Sequence, residues 1–167
     1  MEAASIEYSI EHAMPDDLPR VLDLWEELMN LTARYNQRYR LSPDARRRQE
    51  NHYRGYFGNA ASAILVARIN GDVAAFCNIY VTRPSAVFDQ QNLGVIENIY
   101  VESAHRRRGI AGSLVRRSHE FLKNHLADEV FVNVVLANKV SEAFWQSMGY
   151  QTQKKSMSFK EFNRSGD

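Results

Sequence analysis

Three consecutive arginines and two glycines between positions 106 and 112 make this part of the 167-residue chain well suited to bind a phosphate group. Gly109 and Gly112 have no Cβ atom, so a ligand can approach the backbone closely there. Arg106, Arg107 and Arg108 add positive charge that does not titrate. A helix that begins here presents unpaired N–H groups, and its dipole favours an anion. The segment therefore predicts a site for a phosphorylated ligand.

The residues on either side predict the two elements that position this site. Residues 95–101 are rich in β-branched and aromatic side chains, which is typical of a strand. After the glycines, Leu114, Val115, Phe121 and Leu122 return at helical spacing. No Gly-Lys-Ser/Thr follows the glycines, as it does in a P-loop, and the Gly-x-Gly-x-x-Gly spacing of dinucleotide sites is absent.

A second segment, residues 138–150, predicts a short helix with well-defined ends. Asn138 is a good residue for the N-cap, and Gly149 is a good residue for the position just beyond the C-cap. Between them lie a small residue, Ser141, and an aromatic pair, Phe144 and Trp145.

The two segments together resemble the signatures of the GNAT superfamily of acyl-CoA N-acyltransferases. Its pyrophosphate loop follows the pattern Gln/Arg-x-x-Gly-x-Gly/Ala, which Arg106, Gly109 and Ala111 fill here. Its other signature is an Asn-capped helix with a small residue and an aromatic pair that ends at Gly-Phe or Gly-Tyr. The resemblance covers residues 6–162 in element order and is specific from 96 to 150.

The resemblance implies a single GNAT domain over residues 1–167 that binds acetyl-CoA as acyl donor. The parallel strands on either side of the pyrophosphate helix are expected to separate, so that the pantetheine arm lies between them. A backbone N–H near Ile99 is expected to polarise the thioester carbonyl. The residues implied in acetyl-CoA binding are Ile99, Tyr100, Val101, Arg106, Arg107, Arg108, Gly109, Ile110, Ala111, Gly112, Ser113, Asn138, Ser141 and Phe144.

Two residues are candidates for the proton transfers of acetylation. Glu97 occupies a strand position that polyamine-acetylating relatives use for a base; alternatively, it pairs with an arginine or faces water. Strand alternation predicts that Asn98 and Tyr100 face away from Glu97, and if theirs is the substrate face, Glu97 is not the base. Trp145 stands where many relatives have a Tyr that protonates the leaving thiolate, and an indole N–H is not a usable acid. Either Trp145 donates a hydrogen bond to the thiolate, or water or another Tyr protonates the thiolate, or Trp145 is only a packing residue.

The acceptor is expected to be an amine of a small molecule, bound near the first two helices. In this family those helices and the loop between them build the pocket. Here the region is residues 31–43 with Tyr35 and Tyr39, which could equally cover the helix packing, and Asn98 is a further candidate contact. Two alternatives remain, a protein or peptide N-acetyltransferase and a catalytically silent acyl-CoA sensor. The histidines have no metal-ligand spacing, so no metal is predicted.

Composition points to an ordinary globular protein and to no special partner. The net charge of +1 favours neither nucleic acid nor a membrane surface, and no apolar run is long enough to span a bilayer. The single cysteine, Cys77, fits a reducing compartment, and we expect a cytoplasmic enzyme. A homodimer is a further expectation from the family.

Hydrophobic periodicity predicts the order β-α-α-β-β-β-α-β-α-β, an α/β fold with one mixed sheet flanked by helices. Asn70-Gly71-Asp72 predicts a hairpin between strands 64–69 and 73–81. Strands are also expected at 6–10, at 129–136 and, last, at 156–162.

Overall fold

The computed structural model describes residues 7–87, 89 and 92–158, and its elements follow the predicted order as far as the last helix. The strands are β1 (Ser9–His12), β2 (Ser62–Ile69), β3 (Asp72–Thr82), β4 (Leu93–Val101) and β5 (Glu129–Val132). The α-helices are α1 (Leu18–Tyr35), α2 (Ala45–Arg54), α3 (Ile110–Asn124) and α4 (Lys139–Ser147).

The strands form one mixed sheet in the order β1-β2-β3-β4-β5. The pairs from β1 to β4 are antiparallel, and β4 pairs with β5 in parallel. A parallel pair needs a long crossover, which α3 supplies. The predicted α/β class with a mixed sheet is confirmed.

The hairpin between β2 and β3 turns on Asn70 and Gly71, whose φ angles are 52° and 89°. Two successive left-handed residues match the right-handed twist of a hairpin, and Asn-Gly adopts them readily. The predicted hairpin is confirmed, with Asp72 as the first residue of β3 and the partner of Ile69.

The sheet is covered on both faces, because side chains alternate along its buried strands. On one face lie α1 and α2, with a buried cluster that includes Leu18, Val21, Leu22, Trp25, Tyr53, Val66, Phe76 and Tyr100. On the other lie α3 and α4, with Leu65, Cys77, Ile79, Ile96, Ile110, Leu114, Leu122 and Trp145. Burial of such side chains stabilises the fold by about 1.5–3 kcal/mol each.

Strand β5 is shorter than predicted, because it ends at Val132 rather than near residue 136. Its last pair is Val132 with Ile96, and the next residue of β4, Glu97, lies in a bulge. A bulge bends a strand and increases its local twist, so β4 turns away from β5 at this point.

The ends of the chain also differ from the prediction. Ile6 lies outside the described residues, and β1 begins at Ser9 rather than at residue 6. Residues 156–158 are irregular, and Met157 is 88% exposed, so no strand begins at Ser156. An alternating pattern forms a strand only where a sheet edge pairs with it. The rest of the predicted last strand, 159–162, lies outside the described residues.

No α-helix in the described part of the chain is both long and apolar enough to cross a membrane.

Candidate active site

The turn before α3 has the backbone geometry that the glycines predict. Gly109 is the N-cap of α3, with a φ of +80°, and its carbonyl accepts from the Ser113 N–H at 3.1 Å. The N–H groups between them belong to the first helical turn, which has no intrahelical acceptor for them. Arg107 also has a positive φ, +62°, which is uncommon for a residue with a side chain. The residues present therefore fit an anionic group at this helix N-terminus.

The three arginines differ in their surroundings. Arg106 donates from Nε to the Val101 carbonyl at 2.9 Å, and its guanidinium carbon lies 5.0 Å from the centre of the Tyr100 ring. Arg106 thus ties the loop to the end of β4. Arg107 and Arg108 are exposed, so their charges are accessible to a ligand in solution.

A gap opens between β4 and β5 beyond the pair Ile96–Val132. Ile99, Tyr100 and Val101 lie past this point and pair only with β3 among the described strands. No described strand pairs with their edge toward β5, and the Val101 carbonyl accepts from Arg106. The separation agrees with the expected gap for a pantetheine arm.

Helix α4 begins and ends as the second motif predicts. The Asn138 side-chain oxygen accepts from the Ser141 N–H at 3.0 Å, and Gly149 has a φ of +91° beyond the C-cap. Met148 lies beside residues 106–112, the candidate phosphate loop, because its sulfur would be 3.9 Å from a Cβ added at Gly112. Helix α4 therefore packs next to the helix N-terminus that the first motif forms.

Trp145 is buried in the core rather than open to the gap. It is 6% exposed, and its ring lies 5.2 Å from that of Phe144 and 4.9 Å from that of Tyr150. The Tyr150 hydroxyl in turn lies 2.7 Å from His119 Nε2. This packing accounts for an aromatic residue at position 145, and its role toward a thiolate stays a prediction.

Glu97 is the extra residue of the bulge in β4. Asn98 pairs with Asn78 of β3 and Ile96 pairs with Ile79, so Glu97 has no partner residue. Asn78 donates from Nδ2 to Glu97 Oε2, and its Oδ1 accepts from Asn98 Nδ2 at 3.0 Å. The prediction that Asn98 and Tyr100 face away from Glu97 is wrong, because a bulge interrupts strand alternation and Tyr100 lies in the same cluster as Tyr56, which contacts Glu97.

Two tyrosines, Tyr53 of α2 and Tyr56 of the turn that follows it, complete a polar cluster around Asn78. The Tyr53 hydroxyl donates to Asn78 Oδ1 at 3.2 Å, and the Tyr56 hydroxyl donates to Glu97 Oε2 at 3.3 Å. Asn78 Nδ2 also donates to the Tyr56 hydroxyl at 2.9 Å. Because Asn78 and Tyr53 are fully buried, these bonds satisfy groups that water cannot reach.

The phenols near Glu97 are held in their neutral form. Burial is the main cause that raises the pKa of Tyr53, Tyr56 and Tyr80, and the Glu97 carboxylate raises each pKa further. These hydroxyls therefore remain hydrogen-bond donors, and none of them serves as a base near neutral pH.

The predicted acceptor residues divide into two groups. Tyr35 at the end of α1 and Tyr39 in the following turn are exposed. Asn98 instead belongs to the polar cluster, through Asn78 and through the Tyr53 hydroxyl at 3.4 Å. Two residues further along β4, the Tyr100 hydroxyl donates to Glu27 Oε2 of α1 at 3.0 Å.

Sequence reasoning missed Asn78, Tyr53, Tyr56 and His52 as parts of this site. Asn78 was detectable as a polar residue within the otherwise apolar strand 73–81. His52, Tyr53 and Tyr56 are spaced as neighbours on one helical face. Neither pattern, however, indicates which strand or carboxylate these residues meet.

Cys77 and the histidines show no second reactive centre. Cys77 is fully buried, which raises the pKa of its thiol to about 12. Among the described residues, no three His, Cys, Asp or Glu side chains cluster as a metal site would require.

Comparison with known proteins identifies the class that this sheet and helix N-terminus define. The profile of the acetyltransferase (GNAT) family matches residues 25–150, which include the phosphate loop, the bulge and α4. The chain therefore belongs to the GNAT acetyltransferase family, as its two motifs predict.

One relative in sequence is the aminoglycoside N(6')-acetyltransferase type 1 of Acinetobacter haemolyticus. It is 36% identical over 67 residues, which are 40% of this chain and 46% of that protein. The match thus spans less than half of that relative's length.

Solved structures share the fold over nearly the whole chain. A tetramutant of the BH1408 protein from Bacillus halodurans has a TM-score of 0.80 at 18% identity, over 91% of this chain and 99% of that one. The apo aminoglycoside 6'-N-acetyltransferase AAC(6')-IG from Acinetobacter haemolyticus has a TM-score of 0.72 at 22% identity, over 92% and 97%. The aminoglycoside N-acetyltransferase AAC(6')-Iy in complex with CoA has a TM-score of 0.75 at 15% identity, over 97% of this chain and 99% of that one.

Proposed function

We propose that this protein transfers an acetyl group from acetyl-CoA to a primary amine of a small molecule. The observation that carries the proposal is the bulge at Glu97. It places a partly exposed carboxylate at the point where β4 separates from β5. The chain continues from the end of β4 to a helix N-terminus that is suited to a phosphate.

The donor is proposed to lie along the gap between β4 and β5. First-turn N–H groups of residues 110–113 hold the pyrophosphate, with Arg107 and Arg108 adding charge. The main chain of Ile99, Tyr100 and Val101 pairs with the pantetheine arm. Asn138, Ser141 and Phe144 of the second motif line the opposite side.

Glu97 is proposed as the base that prepares the amine. The reaction converts an ammonium and acetyl-CoA into an amide, CoA thiol and one released proton. Glu97 takes a proton from the ammonium, the amine nitrogen forms a bond to the carbonyl carbon, and the carbon–sulfur bond breaks. The nitrogen loses its second proton to solvent as the carbon–sulfur bond breaks, and solvent supplies the proton that converts the CoA thiolate to the thiol. A carboxylate that is a third exposed, with neutral hydroxyl donors around it, suits this task.

Water is proposed to protonate the leaving thiolate. An indole N–H is not a usable acid, and Trp145 packs in the core. A thiolate is a tolerable leaving group near neutral pH, since an ordinary thiol has a pKa of about 8.5.

An aminoglycoside is the first acceptor to test. The relative that is 36% identical over part of its length is an aminoglycoside N(6')-acetyltransferase. Carboxylates also lie on the face of β4 toward α1 and α2, at Glu97 and, through Tyr100, at Glu27. Such groups favour an acceptor with several positive charges.

The experiment has two stages. Calorimetry with acetyl-CoA, CoA and longer acyl-CoAs measures donor binding. CoA release is then followed with kanamycin, spermidine and an unmodified peptide as acceptors. Amine-dependent CoA release with a small molecule supports the proposal, and no binding of any acyl-CoA would remove it.

A silent acyl-CoA sensor is the second candidate, favoured by Trp145 in place of a Tyr acid. A sensor would bind acetyl-CoA yet release CoA with none of the amines. Activity on the peptide alone would instead favour a protein N-acetyltransferase.

A further inference from the structure

A histidine lies beside the carboxylate of Glu97, which is itself 36% exposed, and offers a second route to solvent when a bound acceptor covers that exposed part. His52 Nε2 lies 3.5 Å from Glu97 Oε2, and the His52 side chain is 49% exposed. This separation is an ion-pair distance rather than a formed hydrogen bond, and catalytic contacts often tighten only when substrate binds. One edge of the imidazole thus faces the carboxylate while the rest reaches water.

The position of the His52 ring is set by aromatic neighbours on α2 and in the turn after it. It meets Tyr56 edge-on, with ring centres 5.3 Å apart and an angle of 80°, and its centre is 5.8 Å from that of Tyr53. Tyr56 lies in the turn that follows α2, and its side chain and that of His52 both reach Glu97 Oε2 in the bulge. His52, Tyr56 and Asn78 all contact Oε2, and none of these three contacts falls on Oε1.

No other described group that faces Glu97 exchanges a proton near neutral pH. Tyr53 faces it from α2, Tyr56 from the turn after α2, and Tyr80 from β3, and burial keeps all three protonated. Asn78 and Asn98 do not titrate. On the helix of His52, Arg48 pairs with Asp44, and on α1 Glu27 accepts from Tyr100. An imidazole is the side chain that changes charge between about pH 5 and 8.

We propose that His52 carries the proton from Glu97 to solvent in each catalytic cycle. The proposal rests on the proposed acetyl transfer with Glu97 as base. Glu97 holds a proton after it deprotonates the ammonium, and it must lose that proton before the next turnover. The proton passes from the Glu97 carboxyl to His52 Nε2, which restores the carboxylate, and the imidazolium then releases a proton to water.

Replacement of His52 tests the proposal. With saturating acetyl-CoA, His52→Gln should lower kcat about tenfold, less than loss of the base itself, because water replaces a relay in part. The KM for acetyl-CoA should stay within about twofold, since His52 does not lie at the phosphate loop. His12→Gln, the same change at an exposed residue of β1, is the matched control.

Chemical rescue separates proton transfer from packing. Added imidazole should restore the rate of His52→Ala, and more strongly with derivatives whose pKa is near the assay pH, but it should not restore Glu97→Gln. An unchanged kcat in His52→Gln, or a loss in His52→Ala that imidazole does not reverse, overturns the relay and leaves the acetyl transfer standing. A wild-type protein without amine-dependent CoA release overturns both.

Discussion

Asn78 donates a hydrogen bond from the buried centre of β3 to Glu97 in the bulge of β4. The same side chain accepts from Asn98 and Tyr53, so one amide holds both the carboxylate and the strand that carries it. The position of the candidate base is therefore fixed by the core.

Asn78→Asp should disturb this arrangement without changing its shape. It replaces a donor by a second carboxylate beside Glu97, and like charges raise the pKa of such a pair. The acid limb of the kcat/KM profile should move to higher pH. The free energy of unfolding should fall by about 2 kcal/mol or more, since buried groups lose partners.

Rate measurements from pH 5 to 9 and urea unfolding check this prediction. Asn124→Asp, at the exposed end of α3, is the control and should change neither quantity. An Asn78→Asp protein with the wild-type pH profile would show that Asn78 does not influence the base.

Glu97→Gln should lower kcat by about 10²-fold or more, which is typical for loss of a general base. The affinity for acetyl-CoA should not change, because Glu97 lies outside the phosphate loop. Steady-state kinetics and calorimetry measure the two effects, with Glu120→Gln on the exposed face of α3 as control. A wild-type rate at every pH would assign Glu97 to structure alone.

Gly109→Ala and Gly58→Ala form a matched pair. The two glycines have φ angles of +80° and +81°, and an added Cβ meets no atom closer than 3.8 Å at either. Each substitution should cost about 1 kcal/mol of stability, the price of a left-handed residue with a side chain. Only Gly109→Ala should also weaken acetyl-CoA binding, by about tenfold, because its methyl group stands where a phosphate approaches.

Urea unfolding and calorimetry on both variants test this pair. Equal affinities for acetyl-CoA in the two variants would contradict a phosphate site at Gly109.

His119 should make stability depend on pH. Burial between α3 and Tyr150 lowers its pKa, so the unfolded chain binds more protons between that pKa and about 6.5. The His119 contribution is complete above the unfolded pKa and is lost as the pH falls toward the folded one. His119→Gln should therefore show a smaller loss of stability than wild type between pH 7 and 5.

Unfolding in urea across this range measures the effect, with His12→Gln as control. A slope in His119→Gln as steep as in the wild type would assign the pH dependence to other groups.

The sequence alone determined the order of the elements from β1 to α4 and both motifs, although not the end of β5 or a strand at Ser156. Local rules explain this success: glycines at 71, 109 and 149 adopt left-handed angles, and Asn138 caps its helix through its own side chain. Hydrophobic periodicity then determined which faces are buried. Each of these signals depends on residues within a few positions of one another, so it can be recognised in the sequence without knowledge of the fold.

Tertiary structure alone decided how the candidate base is held. The bulge at Glu97 depends on the register between β3 and β4, and register is a relation between distant segments that strand alternation does not reveal. The same holds for the cluster of His52, Tyr56, Asn78 and Glu97, whose members come from α2, the turn after it, β3 and β4. The early end of β5 follows from that bulge, because β5 pairs with β4 only while their edges run side by side.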